Sequence, residues 1–228
     1  MIRANVKEHA VSAAVEDYLK TIYKLESRAG GAVTTTALAQ RLQVSPSSAS
    51  AMLRKLDAMG LATHAHYRGV HLTDSGRRLA LRVLRRHRLL ELFLTETLGL
   101  SWDRVHDEAE VLEHTLSAEL EEVIAAKLGH PVRDPHGDPI PTRDSRVLEE
   151  PTENLASLPP GAIGRLVRVS DADPQMLRHL TARGVALGDR AEVMERHPFG
   201  GPLLVRFGDA VHPIGQQLAQ AMRVELRQ

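Results

Sequence analysis

Apolar residues in the first part of the chain recur at helical spacing. Val15, Tyr18, Leu19, Ile22 and Leu25 predict a helix over 12–28, with Ser12 as its cap and Gly30-Gly31 as its end. A second helix follows Thr34-Thr35-Thr36 and carries Leu38 and Leu42. Ser45-Pro46 supplies an N-cap and a proline at the first helical position. It opens a third helix whose apolar face is Ala49, Met52, Leu53 and Leu56 and whose end is marked by Gly60. LATHAHYRGVHLT then reads as two short strands around Tyr67-Arg68-Gly69, a hairpin. From Asp74 a long arginine-rich helical pattern runs to about Leu98. Another spans roughly 101–128, with Leu112, Leu116, Leu120, Ile124 and Leu128 in one stripe. Seven of the twelve prolines fall between His130 and Gly161, so that stretch is a linker or a wrapped extended segment. Beyond it the period changes. AIGRLVRV, RAEVMER, PLLVRF and MRVEL are strand-like runs between Gly, Pro and Asp turns, with one helix opened by Asp173-Pro174, which predicts a small β-barrel.

Helix, tight turn, second helix and hairpin together are the winged helix-turn-helix arrangement, whose second helix enters the DNA major groove. With the apolar face of the third helix inward, its outward face holds Ser47, Ala51 and Arg54, flanked by Ser48 and Ser50. Short hydroxyl side chains let a helix sit deep in a groove. Arg54 and Lys55, with Arg41 and Arg68 from neighbouring elements, are placed to neutralise phosphate. The same serines also suit a plain helix cap and a solvated face.

Composition sharpens this picture. The 228-residue chain has no net charge, 29 Lys+Arg facing 29 Asp+Glu, yet residues 1–90 carry net +9 and the remainder net −9. A basic module for a polyanion followed by an acidic one with another task is the expected reading. Cysteine is absent, which excludes disulfide scaffolds, thiolate metal sites and cysteine nucleophiles. No apolar stretch approaches the roughly 20 residues of a membrane span, and MIRANVKEHA lacks the apolar core of a secretory signal. A soluble cytoplasmic protein without a membrane partner is expected.

The acidic part concentrates metal-ligating side chains. VHDEAEVLEH sets His106, Glu110 and His114 at successive four-residue steps with Glu113 beside them, and His87 and Glu91 repeat the spacing on the preceding helix. Neighbouring carboxylates repel when ionised, and a divalent cation removes that repulsion while accepting imidazole lone pairs. One such pair alone is also what a solvated helix face carries; their accumulation on two consecutive helices favours a metal site. No HExxH, Gly-rich phosphate loop or GxSxG elbow is present, and Glu110 and Glu113 share one helix rather than facing across a cleft, so an enzyme is not expected.

EDYLKTIYKLE (16–26), VSPSSASAMLRKLDAMG (44–60), YRGVHLTDSGRRLA (67–80), RRHRLLELFL (85–94), VHDEAEVLEH (105–114) and PHGDPIP (135–141) occur in an order that resembles the diphtheria-toxin-repressor family of metal-dependent transcriptional repressors. The resemblance implies a mainly α fold with a small β part. A winged helix-turn-helix DNA-binding domain would span 1–75, a helical dimerisation and metal-binding domain 76–142 and a linker 143–160. An SH3-like, FeoA-like β-barrel would span 161–228. It also implies a homodimer that grips a palindromic operator in double-stranded DNA when metal is bound. By position, Asp17 with Glu110, Glu113 and His114 would form a primary metal site, and His87, Glu91 and His106 a second one, two per subunit. In iron-type members the positions of Asp17 and Glu110 are methionine and cysteine, so the two carboxylates here resemble the manganese-type branch, the manganese transport regulators. Manganese lies at the weak end of the Irving–Williams order and is selected by oxygen-rich, high-coordinate sites rather than by raw affinity. The expected function is therefore a manganese(II)-responsive repressor of metal-uptake and homeostasis genes. An iron(II)-responsive repressor is the alternative, and a metal-buffer protein that does not bind DNA a more distant one. Two positions depart from the pattern. Lys20 replaces a carboxylate of the short manganese-type proteins. In the longer members the SH3-like domain donates a glutamate and a glutamine to the second site; Gln175 matches the glutamine, while Ala172 stands near the glutamate position, with Asp171 or Asp173 as the substitute.

Overall fold

The computed structural model describes residues 11–65 and 69–226, which divide into two compact units. The first takes the chain through Arg86 together with Pro141–Arg146; the second takes His87–Ile140 and the chain from Val147 onward. Arg68 and the turn predicted at Tyr67-Arg68 lie outside the described residues.

The first unit opens with α1 (Ala13–Ala29), which ends where the Gly30 N–H reaches the Glu26 carbonyl in a left-handed conformation that suits glycine. Ser12 holds the extended N-cap conformation, but its side chain makes no cap bond. α2 (Thr35–Leu42) is capped by the Thr34 hydroxyl. α3 (Pro46–Ala58) starts on Ser45, with proline in its first turn. β1 (Ala62–Ala65) and β2 (Gly69–Leu72) pair antiparallel, and Val33 bridges to Val70 beside them. Leu19, Ile22, Leu38, Leu53 and Leu56 are fully buried at the centre, which explains why α2 and α3 turn their apolar faces toward α1. α4 (Asp74–Leu98) begins against the wing. A Cβ on Gly76 would fall 1.9 Å from the Leu61 carbonyl oxygen, so only glycine admits this approach.

In the second unit the helix expected over 101–128 is two helices, α5 (Val105–Leu112) and α6 (Ala118–Lys127). Ser117 accounts for the break: its hydroxyl accepts the Leu120 N–H at 3.1 Å and restarts the helix as an N-cap. The expected stripe is divided accordingly. Leu116 and Ile124 are buried, whereas Leu112 and Leu120 are exposed. The proline-rich stretch holds no α-helix; it carries an isolated bridge, Arg133 to Pro139, and toward its end a two-residue strand and a 3-10 turn.

The C-terminal part carries β3 (Glu153–Asn154), a 3-10 turn (Leu155–Ser157), β4 (Ile163–Val169), α7 (Pro174–Thr181), β5 (Arg190–Arg196), β6 (Leu203–Phe207), β7 (Ala210–Ile214), α8 (Gln216–Ala221) and β8 (Met222–Leu226). The strands form an antiparallel six-stranded sheet in the order β3-β8-β4-β5-β6-β7, open at β3 and β7. The four apolar runs of the sequence are β4, β5, β6 and β8. β7 escapes the pattern because an edge strand tolerates Pro213 and exposed positions. Asp173 caps α7 through the Gln175 N–H.

Candidate metal centre and DNA-facing helix

In the first unit the outward face of α3 is the one the periodicity picks out. Ser47, Ser48, Ala51, Arg54 and Lys55 are exposed and Ser50 is half-buried, over a floor of buried Ala49, Leu53 and Leu56. The serine hydroxyls are tied to the cap: Ser45 Oγ lies 2.8 Å from both Ser47 Oγ and Ser48 Oγ and accepts the Ser48 N–H at 3.1 Å. Arg41 is exposed in the last turn of α2. The wing is fastened by Glu26, to which the sequence pattern assigns no role. Its buried carboxylate accepts the Leu72 N–H and meets His71 Nδ1, both at 3.1 Å, and takes the Arg77 guanidinium at 3.2 Å. Asp17 stands half-buried on α1 of this unit.

In the second unit the ligand-type residues converge. His87 Nε2 is 3.0 Å from Glu91 Oε1 and 3.1 Å from His106 Nδ1; His106 Nδ1 is in turn 3.2 Å from Glu91 Oε1 and 3.1 Å from Asp171 Oδ2. Two nitrogens and two carboxylate oxygens from α4, α5 and the turn after β4 thus surround one point. A ring nitrogen carries at most one proton, and carboxylates carry none when ionised, so hydrogen bonds satisfy only some of these contacts. A divalent cation satisfies all four at once, and imidazole with carboxylate is a donor set suited to manganese, iron or zinc.

Glu113 is placed to select the tautomer of a metal-bound His87. Its Oε2 lies 2.6 Å from His87 Nδ1, so with an ion held at Nε2 the ring's one proton would sit on Nδ1 and be donated to Glu113. Glu113 is fully buried, and its Oε1 lies 3.4 Å from His114 Nε2. Glu110, more open, stands 3.7 Å from His106 Nε2 and 3.9 Å from His87 Nδ1. Burial pushes the Glu91 carboxyl up, but the charge of His87 and the imidazoles of His106 and His136 prevail and hold it well below the usual carboxylate range. A carboxylate kept ionised in a buried position is what a cation site requires.

Asp171 is the C-terminal residue that faces His106; Gln175 is exposed in the first turn of α7, its N–H bonded to Asp173. His136, Asp134 and Arg88, which underlie Glu91, have no role in the sequence-based ligand sets. His136 is fully buried 3.8 Å from Glu91 Oε2. Burial lowers its pKa, but Glu91, Asp134 and a bond to the Trp102 carbonyl outweigh that and raise it to about 9. Burial and the charges of Asp138 and Glu91 push Asp134 well above the usual range, against Arg88 and His136. The PHGDPIP and RRHRLLELFL motifs contain His136 and Arg88, and Asp134 directly precedes the first of them.

Residues 10–70 match the iron dependent repressor N-terminal DNA binding domain, residues 73–142 the iron dependent repressor metal binding and dimerisation domain, and residues 153–226 the FeoA domain. The iron-dependent repressor IdeR of Mycobacterium tuberculosis is 33% identical over 222 residues, covering 92% of this chain and 96% of its own. The chain belongs to the iron-dependent repressor family. These are transcriptional repressors rather than enzymes. The diphtheria toxin repressor of Corynebacterium glutamicum is 34% identical over 221 residues, 92% of this chain and 95% of its own. A solved manganese-dependent transcriptional repressor in complex with manganese is 47% identical with a TM-score of 0.89, covering 93% of this chain and 100% of that one. For this chain the family means a winged-helix DNA-binding domain, a helical middle and a C-terminal β-sheet domain. No helix among the described residues is long and apolar enough to cross a membrane.

Proposed function

We propose that the chain is a manganese(II)-responsive repressor that, as a cytoplasmic homodimer, binds palindromic operator DNA of metal-uptake and homeostasis genes when metal is held. The convergence of His87, Glu91, His106 and Asp171 on one point, in a chain that also presents a winged helix, carries this reading. The second site comprises those four residues, with Gln175 following in α7. The primary site, carried over from the family resemblance, comprises Asp17, Glu110, Glu113 and His114. Both sets lack sulfur, and three carboxylates make the primary set oxygen-rich, which favours a hard, high-coordinate dication. The manganese-dependent relative at 47% identity supports the same choice over iron. Exposed Val111, Leu112, Leu120 and Val123 on α5 and α6 give the self-association surface its apolar content, and the C-terminal sheet takes the SH3-like role. On the DNA side, α3 enters the major groove with Ser47, Ser48, Ser50 and Ala51 near the bases, while Arg54, Lys55, Arg41 and Arg68 neutralise phosphate.

When bound, the metal supplies positive charge among carboxylates that otherwise repel. Asp17 rides on α1, whose packing against α2 and α3 makes its orientation that of the recognition helix. Ligation of Asp17 therefore selects the orientations that suit successive major grooves. A hundredfold preference for the DNA-competent state corresponds to about 2.7 kcal/mol of coupling. Anisotropy titration of Asp17→Ala with operator DNA tests this: metal-dependent affinity should drop toward the metal-free level, and unchanged metal-dependent binding rejects the mechanism. Operator binding at buffered, anaerobic Mn(II) and Fe(II) tests the metal; equal activation at physiological levels rejects manganese in favour of an iron-responsive repressor.

A further inference from the structure

The PHGDPIP motif forms the loop 135–141, which the proposed ligand sets do not use. Asp134 anchors it: Oδ1 accepts the N–H groups of His136 at 2.8 Å and Asp138 at 2.9 Å, while Oδ2 lies 3.5 Å from Arg88 Nε. Arg88, next to His87 in sequence, also donates to the Pro139 carbonyl and to Asp138 Oδ1, which takes Arg168 of β4 as well. Gly137 has φ +85, and a Cβ there would lie 1.9 Å from the Val167 carbonyl oxygen, so only glycine admits the loop this close to β4.

At the centre of the loop His136 touches Glu91 and residues close to His106 and Asp171. Its Nε2 donates to the Trp102 carbonyl at 2.7 Å, four residues before His106. Its carbonyl accepts the Val169 N–H at 2.9 Å, two residues before Asp171. Its Nδ1 faces Glu91 Oε2, on the side opposite the oxygen that meets His87 and His106. The ring lies parallel to Trp102, centroids 6.1 Å apart, and the Trp102 indole N–H reaches Thr181 of α7 at 2.9 Å. A third metal among Glu91, Asp134 and His136 is disfavoured, because the Arg88 guanidinium already stands at Asp134.

We propose that His136 is a positioning residue for the second metal site: its imidazole fixes the rotation of Glu91 and seats the turn that leads to His106, while its backbone carbonyl holds the strand end that leads to Asp171. The inference rests on the reading of that site given above. Groups of this kind behind metal ligands typically hold a 10–100-fold share of metal affinity, because they fix ligand direction before the ion arrives. Without the ring, Glu91 Oε2 loses the group it faces, and the turn before α5 loses its hydrogen bond at the Trp102 carbonyl.

The test uses the full chain and manganese alone. Mn(II) affinity is measured against a competing chelator dye for His136→Ala, His106→Ala and the double variant, with the electron paramagnetic resonance spectrum of bound Mn(II) recorded in parallel. His136→Ala should weaken one manganese equivalent about 10–100-fold and broaden or shift its spectrum. The double variant should be little weaker than the worse single one, since a ligand no longer delivered cannot be lost twice. Wild-type affinity in His136→Ala, or fully additive losses, overturns the proposal. His136→Gln keeps a donor for the Trp102 carbonyl but presents no ring to Glu91. It should fold and still lose several-fold in affinity; wild-type affinity in that variant also overturns the proposal. Far-ultraviolet circular dichroism and the thermal midpoint verify folding of each variant. Glu91→Ala separates the two levels: if it keeps full manganese stoichiometry the second site itself is wrong, and if it loses one equivalent while the His136 variants keep both, only the positioning role falls.

Discussion

The outward face of α3 and the donor cluster around His87 treat polar groups in opposite ways. On α3 the polar atoms are exposed and close their hydrogen bonds locally, serine to serine around the Ser45 cap. Around His87 they are buried, drawn from α4, α5 and the turn after β4, and contain more lone pairs than protons. The first surface is complete as the chain folds and needs a partner only for affinity. The second leaves lone pairs of four residues turned toward one point, where the proposed ion would complete them. In the function proposed, metal dependence therefore belongs to the cluster.

Glu113 is where the contrast breaks most sharply, because a single carboxylate serves His87 on one oxygen and His114 on the other. In Glu113→Gln the amide group can present N–H to His87 Nδ1, the opposite of what fixes its tautomer, and it removes a charge from the proposed primary set. Isothermal titration should show both manganese equivalents weakened, the second by roughly 10–100-fold. Operator affinity at fixed metal should fall with them. Weakening of one equivalent alone would show that the two sets do not share this residue.

The difference between the two regions also decides what the sequence can reveal. Amphipathic spacing reports burial of an apolar face, so α1 to α4 are readable, together with the exposed residues of α3 that are the remainder of that spacing. Ligand types on α4 and α5 are readable for the same reason, since His87 with Glu91 and His106 with Glu110 lie four residues apart on one helix. Asp171 is readable only as one of two aspartates, because its approach to His106 depends on how β4 ends. His136 and Asp134 have no periodicity at all; their role comes from a glycine that allows close packing and from backbone bonds to a distant strand. The break between α5 and α6 is hidden because Leu116 and Ile124 keep helical spacing across Ser117, and local capping overrides that spacing. β7 is hidden because an edge strand has no apolar alternation to display.

The basic residues of α3 give a smaller and differently shaped effect. Arg54→Ala and Lys55→Ala each remove an exposed charge with no part in the buried floor, so folding and metal binding should stay unchanged. Affinity for operator and for unrelated duplex should fall together. The slope of log affinity against log salt should become shallower by about one for each phosphate that is no longer neutralised. A variant that loses operator affinity at unchanged slope would place that side chain on a base rather than on phosphate.

The smallest effect tests the self-contained character of the α3 face itself. Ser45 Oγ accepts the Ser48 N–H and holds the hydroxyls of Ser47 and Ser48, so Ser45→Ala removes the cap and releases both. Losing an N-cap costs about 1 kcal/mol of stability, visible as a modest drop in the thermal midpoint. The released hydroxyls are then available to the groove. If the serines contact DNA while bound to the cap, affinity should fall slightly with the loosened first turn. If they must leave the cap to reach DNA, affinity should rise despite the lost stability, because the hydrogen bonds that opposed it are gone. Measured with saturating manganese, the sign of that change tells whether the serines serve the fold and the operator at once or in turn.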